Sequence, residues 1–243
     1  MAAMRAWPAP SSPAALAGPW RAGLLLLLLA GFAIAPPTRA GTDSEAVQRL
    51  QQACPRWDDC ADKAEAQALS VAGGRARRQG SVLTLNLASG PQRWEDQPTA
   101  GQRYRYLGEL DKTGLDLLAG LRAGQPSYWL IDPASGRLLE APALPWPSPD
   151  GRLIMVAVPE RPGEGGSVRL YLRSASRWAR QYLFEAPPGL GFGFRSWRMD
   201  SAAVRLHWAR RGADGRTACD GLTQLRDGPY GWDLVPEPPA ACP

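Results

Sequence analysis

The stretch that decides the fold is residues 128–158, which read YWLIDPASGRLLEAPALPWPSPDGRLIMVAV. Its short apolar runs are Tyr128–Asp132, Leu138–Ala141 and Leu153–Val158. The residues between these runs, Pro133–Gly136 and Pro147–Gly151, include the Pro, Ser, Asp and Gly that tight turns require. Short apolar runs separated by such turns predict antiparallel β-strands.

The same pattern extends to both sides of this stretch. Further strands are predicted at Val82–Leu87, Tyr104–Leu110, Val168–Leu172, Trp178–Phe184, Phe192–Trp197, Val204–Trp208 and Gly231–Val235. Apolar and polar side chains alternate in Ser167–Arg173 and Ala203–Trp208, which predicts an antiparallel sheet with one face in solvent. Residues Leu115–Leu121 fit either a strand or a helical turn. The sequence therefore predicts a mainly β domain over residues 80–235.

Three tryptophans recur at a nearly constant interval. Trp94, Trp146 and Trp197 are 52 and 51 residues apart, and each is followed by an acidic residue and then by a predicted strand. Such self-similarity is typical of repeat architectures.

The residues around Trp146 also carry a family resemblance. Tyr128–Gly136 followed by Trp146–Arg152 resembles the TolB-type and WD40-like β-propeller repeat, in which a strand ends in Asp and an aromatic-Ser-Pro-Asp-Gly turn opens the next blade. The resemblance implies four-stranded blades, aromatic packing between blades and use as a binding scaffold. Because the chain has the length for about three repeats, we expect an antiparallel, propeller-like meander, with a β-sandwich as the alternative.

Residues 1–40 have the features of a cleavable secretory signal peptide. Arg5 and Arg21 supply positive charge before the apolar core Leu24–Ile34. This core is about half the length that spans a bilayer. Thr38-Arg39-Ala40 provides small residues at the positions that a signal peptidase requires, so cleavage is expected after Ala40. The alternative is an uncleaved N-terminal anchor. The expected location is the periplasm or the extracellular space, with no membrane span after cleavage.

All four cysteines, Cys54, Cys60, Cys219 and Cys242, lie beyond this cleavage position. An even number of cysteines in an exported chain predicts disulfide bonds. Three pairings are possible, and the local pairs Cys54–Cys60 and Cys219–Cys242 are preferred to bonds that join the two ends. No CxxC spacing occurs, so neither a zinc site nor a thioredoxin-type redox motif is predicted.

Residues 41–79 are predicted to contain two short helices and a linker, and residues 236–243 a C-terminal tail. Asp58 or Asp59 can cap the second helix. Its weak apolar stripe consists of Ala61, Ala64, Ala68 and Leu69. The linker contains Gly73-Gly74 and the basic cluster Arg75–Arg78, which is interpreted as a solvated stretch in preference to an anion site.

Residues with catalytic chemistry are few. Asp96, Asp150 and Asp200 are interpreted as Asx-turn residues, because equivalent positions in successive repeats lie far apart. His207 is the only histidine, lies in the middle of a predicted strand, and has no GxSxG motif or free cysteine to accompany it. No metal site and no cofactor is predicted. The net charge of +5 falls to +2 beyond residue 40, which argues against nucleic-acid binding.

Tryptophans interleaved with arginines predict a ligand or partner surface. Its candidate residues are Trp178, Arg180, His207 and Trp232, whereas Trp129, Trp146, Trp197 and Trp208 are assigned to the core. The favoured function is an exported, non-enzymatic binding module of the cell envelope, with an envelope protein or a polysaccharide as ligand.

Two alternative functions make different structural demands. A periplasmic inhibitor or immunity-type protein would present Pro159–Gly166 or Pro187–Gly193 as a rigid projecting loop. A hydrolase or lyase acting on envelope polysaccharide would gather two acids and an arginine in one groove.

Overall fold

The computed structural model describes residues 57–122, 125–161, 163–174, 177–212 and 214–242. In this part of the chain, one α-helix precedes fifteen strands that form four antiparallel sheets. The strands of each sheet follow one another in the sequence and pair with their sequence neighbours, so the predicted mainly β meander is confirmed.

Helix α1 spans Trp57–Val71, and a 3-10 turn at Pro98–Ala100 connects sheets 1 and 2. Sheet 1 contains β1 (Ala76–Gln79), β2 (Val82–Leu87) and β3 (Gly90–Glu95). Sheet 2 contains β4 (Gln102–Leu110), β5 (Leu115–Arg122), β6 (Gln125–Ile131) and β7 (Leu138–Ala141). Sheet 3 contains β8 (Pro145–Pro147), β9 (Leu153–Val158), β10 (Ser167–Ser174) and β11 (Arg177–Glu185). Sheet 4 contains β12 (Leu190–Trp197), β13 (Ala203–Arg211), β14 (Thr217–Gly228) and β15 (Gly231–Val235).

Every predicted strand falls on an observed one, and β2, β7, β9 and β15 have the predicted bounds. Leu115–Leu121, whose sequence fitted either a strand or a helical turn, is part of strand β5. The strands without a prediction are β1, β3, β8 and β14, whose sequences are short or rich in polar residues, Gly and Pro. Backbone pairing with a neighbour holds such segments in strands without an apolar pattern of their own.

Successive sheets share hydrophobic cores. Sheets 1 and 2 enclose Leu83, Leu85 and Tyr106, and sheets 3 and 4 enclose a second core that includes Met155 and Leu206. A third core lies between sheets 2 and 3, so both of these sheets are buried on both faces. Strand β9 is accordingly buried at all six positions.

The prediction of one solvated sheet face is correct for β13 and wrong for β10. On β13, Arg205 and His207 alternate with buried Val204 and Leu206 and face away from the core. On β10, Tyr171 is buried in the core between sheets 2 and 3, because the face that alternation assigned to solvent is covered by the neighbouring sheet.

The recurring tryptophans join two of the sheets. Trp146 lies in β8 and Trp197 in β12, the first strands of sheets 3 and 4, and the Trp197 indole N–H donates a hydrogen bond to the Trp146 carbonyl at 3.2 Å. Trp146 also stacks on Phe194, with ring centroids 4.4 Å apart. Trp94 lies in β3, the last strand of sheet 1, so the interval does not correspond to the same position in that sheet.

Helix α1 packs its small-residue face against β4. Ala61 and Ala68 of the predicted stripe are buried, and Glu65 is buried between them. The Glu65 carboxylate accepts hydrogen bonds from Arg78 at 2.6 and 2.8 Å and from the backbone N–H of Tyr106 at 2.9 Å. The bidentate ion pair attaches the helix to sheet 1, and the hydrogen bond from Tyr106 attaches it to sheet 2.

The predicted linker is therefore structured. Residues Ala76–Gln79 form β1, and Arg78 and Arg75 are only partly exposed, because Arg78 forms an ion pair with Glu65 of α1 and Arg75 forms one with Asp116. Arg77 is exposed, as the sequence predicted for the whole cluster. Asp96 is not an Asx-turn residue either: it accepts hydrogen bonds from Arg78, Arg105 and the backbone N–H of Tyr104.

The C-terminal tail is attached to sheet 4. The predicted disulfide between Cys219 and Cys242 is present, and Arg210 donates a hydrogen bond to the carbonyl of Pro239. Cys60 is also disulfide-bonded, whereas its predicted partner Cys54 lies outside the described residues.

The predicted signal peptide, residues 1–40, and the first predicted helix also lie outside the described residues. Among the helical residues that are described, no segment has the length and apolar character needed to cross a bilayer.

Candidate functional site

A cavity of about 390 Å³ opens on sheet 2, at the end of the sheet where β5 finishes and β6 begins. It is lined by Gln102, Tyr104, Gly120, Leu121, Pro126, Ser127, Trp129, Glu140, Pro142 and Arg161. We call this cavity the aromatic groove. Its volume is in the range of small-molecule binding sites.

The floor of the groove depends on a glycine. Gly120 lies within the apolar strand β5, and a Cβ atom at this position would lie 2.5 Å from Cζ3 of Trp129. Because no real Cβ contact is that short, the indole can occupy its position only while residue 120 lacks a side chain. A glycine inside a strand often marks such a close approach.

A second aromatic ring extends this floor. The rings of Tyr104 and Trp129 have centroids 5.8 Å apart and are tilted by 48°. Gln102 donates a hydrogen bond to the Tyr104 hydroxyl, which fixes the phenol at the edge of the groove. Both rings are half-buried, so each has a surface available to a ligand.

Charged and polar groups surround these rings. Glu140 comes from β7, and Arg161 comes from the loop between β9 and β10 of the next sheet. Within the described residues, neither side chain forms a hydrogen bond or an ion pair. Together with Ser127, the groove thus presents a carboxylate acceptor, a guanidinium donor and a hydroxyl.

Carboxylates are sparse among the described residues that line the groove. Within the described part of the chain, Glu140 is the one carboxylate that lines it. Several other acids serve the backbone: Asp150 accepts from Arg152 N–H at 3.1 Å and Asp200 from Ala202 N–H at 3.0 Å, as the Asx-turn interpretation predicted. Glycoside hydrolysis ordinarily requires two carboxyl groups flanking one bond.

The four predicted ligand residues do not form one site. Trp178 and Arg180 lie two residues apart on edge strand β11, with Trp178 packed partly against the core and Arg180 exposed. Trp232 lies on β15 and packs partly against the core between sheets 3 and 4. His207 lies on the other face of sheet 4, which points away from this core and from Trp232.

The environment of His207 is a surface pair. Its Nε2 lies 2.7 Å from Oδ2 of Asp220, and both side chains are substantially exposed. Its cross-strand neighbours are Gly193 and Leu222, so the paired strands place no hydroxyl or thiol directly opposite it. This agrees with the interpretation of His207 as a surface residue.

The two loops considered as projections contact each other. Gly166 N–H donates to the Leu190 carbonyl at 2.7 Å, and Ala186 N–H donates to the Gly166 carbonyl at 2.9 Å. Arg211 also forms an ion pair with Glu160. These contacts join sheets 3 and 4, while the inhibitor function itself stays a prediction.

The buried charges beside α1 form a second polar region. Asp116 is fully buried, accepts a hydrogen bond from the Tyr106 hydroxyl at 2.8 Å and lies 3.1 Å from Arg75. Burial raises the pKa of Asp116, and the hydrogen bond from Tyr106 and the charge of Arg75 oppose this shift only in part. Arg75 directly precedes β1, Tyr106 lies on β4 and Asp116 on β5, so this network joins sheets 1 and 2.

Sequence reasoning assigned Trp129 to the core and did not select Tyr104, Glu140 or Arg161. The one local signal for the groove was Gly120, because a glycine in an otherwise apolar strand indicates close packing by a neighbour. Glu140 and Arg161 come from different sheets, so only the tertiary structure shows that they share a cavity.

No family model matches the chain, and no curated protein is similar to it in sequence. Within the described residues, no three His, Cys, Asp or Glu side chains are grouped so that they could hold a metal ion.

Proposed function

We propose that this protein is an exported, non-enzymatic binding module whose aromatic groove holds a segment of cell-envelope polysaccharide. The observation that carries the proposal is the close approach of the Trp129 ring edge to Gly120, next to Tyr104 and between Glu140 and Arg161, whose side chains have no hydrogen-bond or ion-pair partner among the described residues. A sugar ring has an apolar C–H face that stacks on an aromatic ring, and hydroxyl groups at its edge that require both donors and acceptors.

The size and charge of the groove support a glycan over a protein ligand. A concave site of about 390 Å³ matches a small-molecule pocket, whereas a stable protein interface requires a much larger surface. One positive and one negative side chain at its rim give no net charge for steering a highly charged polymer.

The disulfide chemistry supports export. Cys219 and Cys242 are bonded, and Cys60 is bonded as well. Bonds of this kind persist in the periplasm and outside the cell, where envelope polysaccharides are found.

Direct binding tests this proposal. The full chain, exported to the bacterial periplasm and purified, would be titrated with peptidoglycan glycan fragments and with a neutral β-glucan oligosaccharide, by calorimetry and tryptophan fluorescence. We expect at least one glycan to bind, and Trp129→Ala to weaken that binding about tenfold or more, because aromatic contacts dominate such sites.

Gly120→Ala is the second variant, since the new methyl group displaces the indole without removing it. Its control is Gly221→Ala, which places a Cβ atom 2.8 Å from the Trp208 ring in sheet 4, outside the groove. Failure to bind any glycan, or equal affinity in wild type and Trp129→Ala, would contradict the proposal. Release of new reducing ends from the glycan would contradict its non-enzymatic part and favour the hydrolase alternative.

A further inference from the structure

A second cavity, of about 200 Å³, lies between sheets 2 and 3. Its apolar side is formed by Leu115, Leu130 and Leu139, and the indole of Trp178 forms a further wall. Arg137, from the turn between β6 and β7, and Arg177, at the start of β11, lie at its rim. The cavity thus combines an apolar interior with two guanidinium groups.

Within the described residues, neither Arg137 nor Arg177 forms an ion pair or a side-chain hydrogen bond. The carboxylate that lines the cavity, Asp132, accepts hydrogen bonds from Ala134 N–H at 3.0 Å and from the Ser135 hydroxyl at 2.6 Å. Because Asp132 is engaged by its own turn, both arginines retain free donors.

We propose that this cavity binds a small organic carboxylate whose apolar portion rests on the leucines and on Trp178. A guanidinium presents a planar fork of donors that matches a carboxylate, and an adjacent aromatic wall excludes water from that contact. The volume of about 200 Å³ admits a short branched chain and not a polymer.

A monoanion fits this cavity better than a phosphate dianion. Asp132 stays ionised, because its hydrogen bonds from Ser135 and Ala134 lower its pKa despite partial burial. This fixed negative charge repels a ligand with two charges more strongly than a ligand with one.

The cavity is separate from the aromatic groove. Leu115 and Leu130 belong to the core between sheets 2 and 3, whereas Trp129 packs against the core on the other face of sheet 2. The two sites also lie at opposite ends of β5. This inference therefore stands or fails independently of the glycan proposal.

The test uses three probes with the purified full chain: 4-methylpentanoate, its neutral analogue 4-methylpentanamide, and inorganic phosphate. Binding would be followed by calorimetry and by the NMR signals of the tryptophan indole N–H groups. We expect the carboxylate to bind, to shift one indole signal that Trp178→Phe removes, and to bind at least tenfold more tightly than the amide or phosphate.

Arg177→Ala should weaken carboxylate binding about tenfold, and Arg137→Ala should have a similar effect. Arg180→Ala is the matched control, because Arg180 is an exposed arginine of the same strand that does not line the cavity. Equal affinity for the amide, tighter binding of phosphate, no binding of the carboxylate, or equal loss in Arg177→Ala and Arg180→Ala would each overturn the proposal.

Discussion

At two places in this molecule a strand glycine leaves room for a tryptophan ring that a Cβ atom would strike, and the surroundings of the two pairs differ. In sheet 4, a Cβ on Gly221 would lie 2.8 Å from Trp208, and Trp208 is only 7 % exposed within the core between sheets 3 and 4. In sheet 2, Gly120 permits the same close approach by Trp129, whose ring is half-buried and forms the floor of a groove.

The difference comes from what covers each pair. Sheet 1 has three strands and buries Tyr106, Leu118 and Ile131 of sheet 2, but leaves Tyr104 and Trp129 half-buried. A glycine that leaves room for an indole on a sheet thus permits core packing where another sheet covers the ring, and leaves the ring partly exposed where the cover ends.

Truncation of the two indoles should give the largest contrast. We expect Trp208→Ala to lower the free energy of unfolding by about 3–5 kcal/mol, because a nearly buried ring leaves a cavity that the core fills incompletely. Trp129→Ala should cost less, about 1–2 kcal/mol, since its ring is only partly buried. Urea unfolding at constant m-value measures both. Equal losses would show that the two pairs serve the same structural purpose.

Removal of the disulfide of sheet 4 should have the next largest effect. The bond joins residues 23 positions apart, and its loss in Cys219→Ser/Cys242→Ser should lower the free energy of unfolding by about 3 kcal/mol, because the unfolded chain gains freedom. Since the bond lies in sheet 4, glycan affinity measured well below the melting temperature should be unchanged. A parallel loss of affinity would mean that the groove depends on the distant sheet.

The glycine substitutions should separate packing from binding. We expect Gly221→Ala to cost about 1–3 kcal/mol, because an overpacked core must shift its side chains. Gly120→Ala should cost less, since Trp129 can move toward the open groove, and it should alter tryptophan fluorescence more. Thermal unfolding and emission spectra of the two variants make the comparison. A larger stability loss in Gly120→Ala would contradict the open character of the groove.

The fold was more accessible from the sequence than the site was. Apolar runs such as Leu153–Val158 identify strands because burial on both faces requires continuous hydrophobicity. Polar strands such as β14 leave no such pattern and exist through pairing with β13 and β15. Alternation also failed for Tyr171, because one strand does not show whether a neighbouring sheet will cover its second face.

The sites require tertiary information for the same reason. The aromatic groove takes Glu140 from β7 and Arg161 from a loop of sheet 3, and the second cavity takes Arg137 and Trp178 from different sheets. Sequence reasoning selected Trp178 for its aromatic and basic neighbourhood, and this residue does line a cavity. It selected His207 and Trp232 on the same grounds, although these lie on opposite faces of sheet 4.

The smallest expected effect is on the pH dependence of stability. The buried carboxyl group of Asp116 and the turn carboxyl group of Asp132, both in sheet 2, should change the free energy of unfolding in opposite directions as the pH falls. Burial raises the pKa of Asp116, so the folded state binds its proton more tightly than the unfolded state does. Stability from this group is therefore present at low pH and is lost as the pH rises through the folded-state pKa. We expect wild type to gain stability relative to Asp116→Asn as the pH falls from 7 toward 4.

Asp132 provides the matched comparison, because the hydrogen bonds from Ser135 and Ala134 lower its pKa. Here the folded state favours the ionised form, so wild type should lose stability relative to Asp132→Asn as the pH falls below the ordinary range of a carboxyl group. Urea midpoints of the three proteins at several pH values between 3 and 7 would show both trends. A shared sign for the two variants would mean that Asp116 is stabilised as an anion by Arg75 and Tyr106, and that the network beside α1 acts as an ion pair.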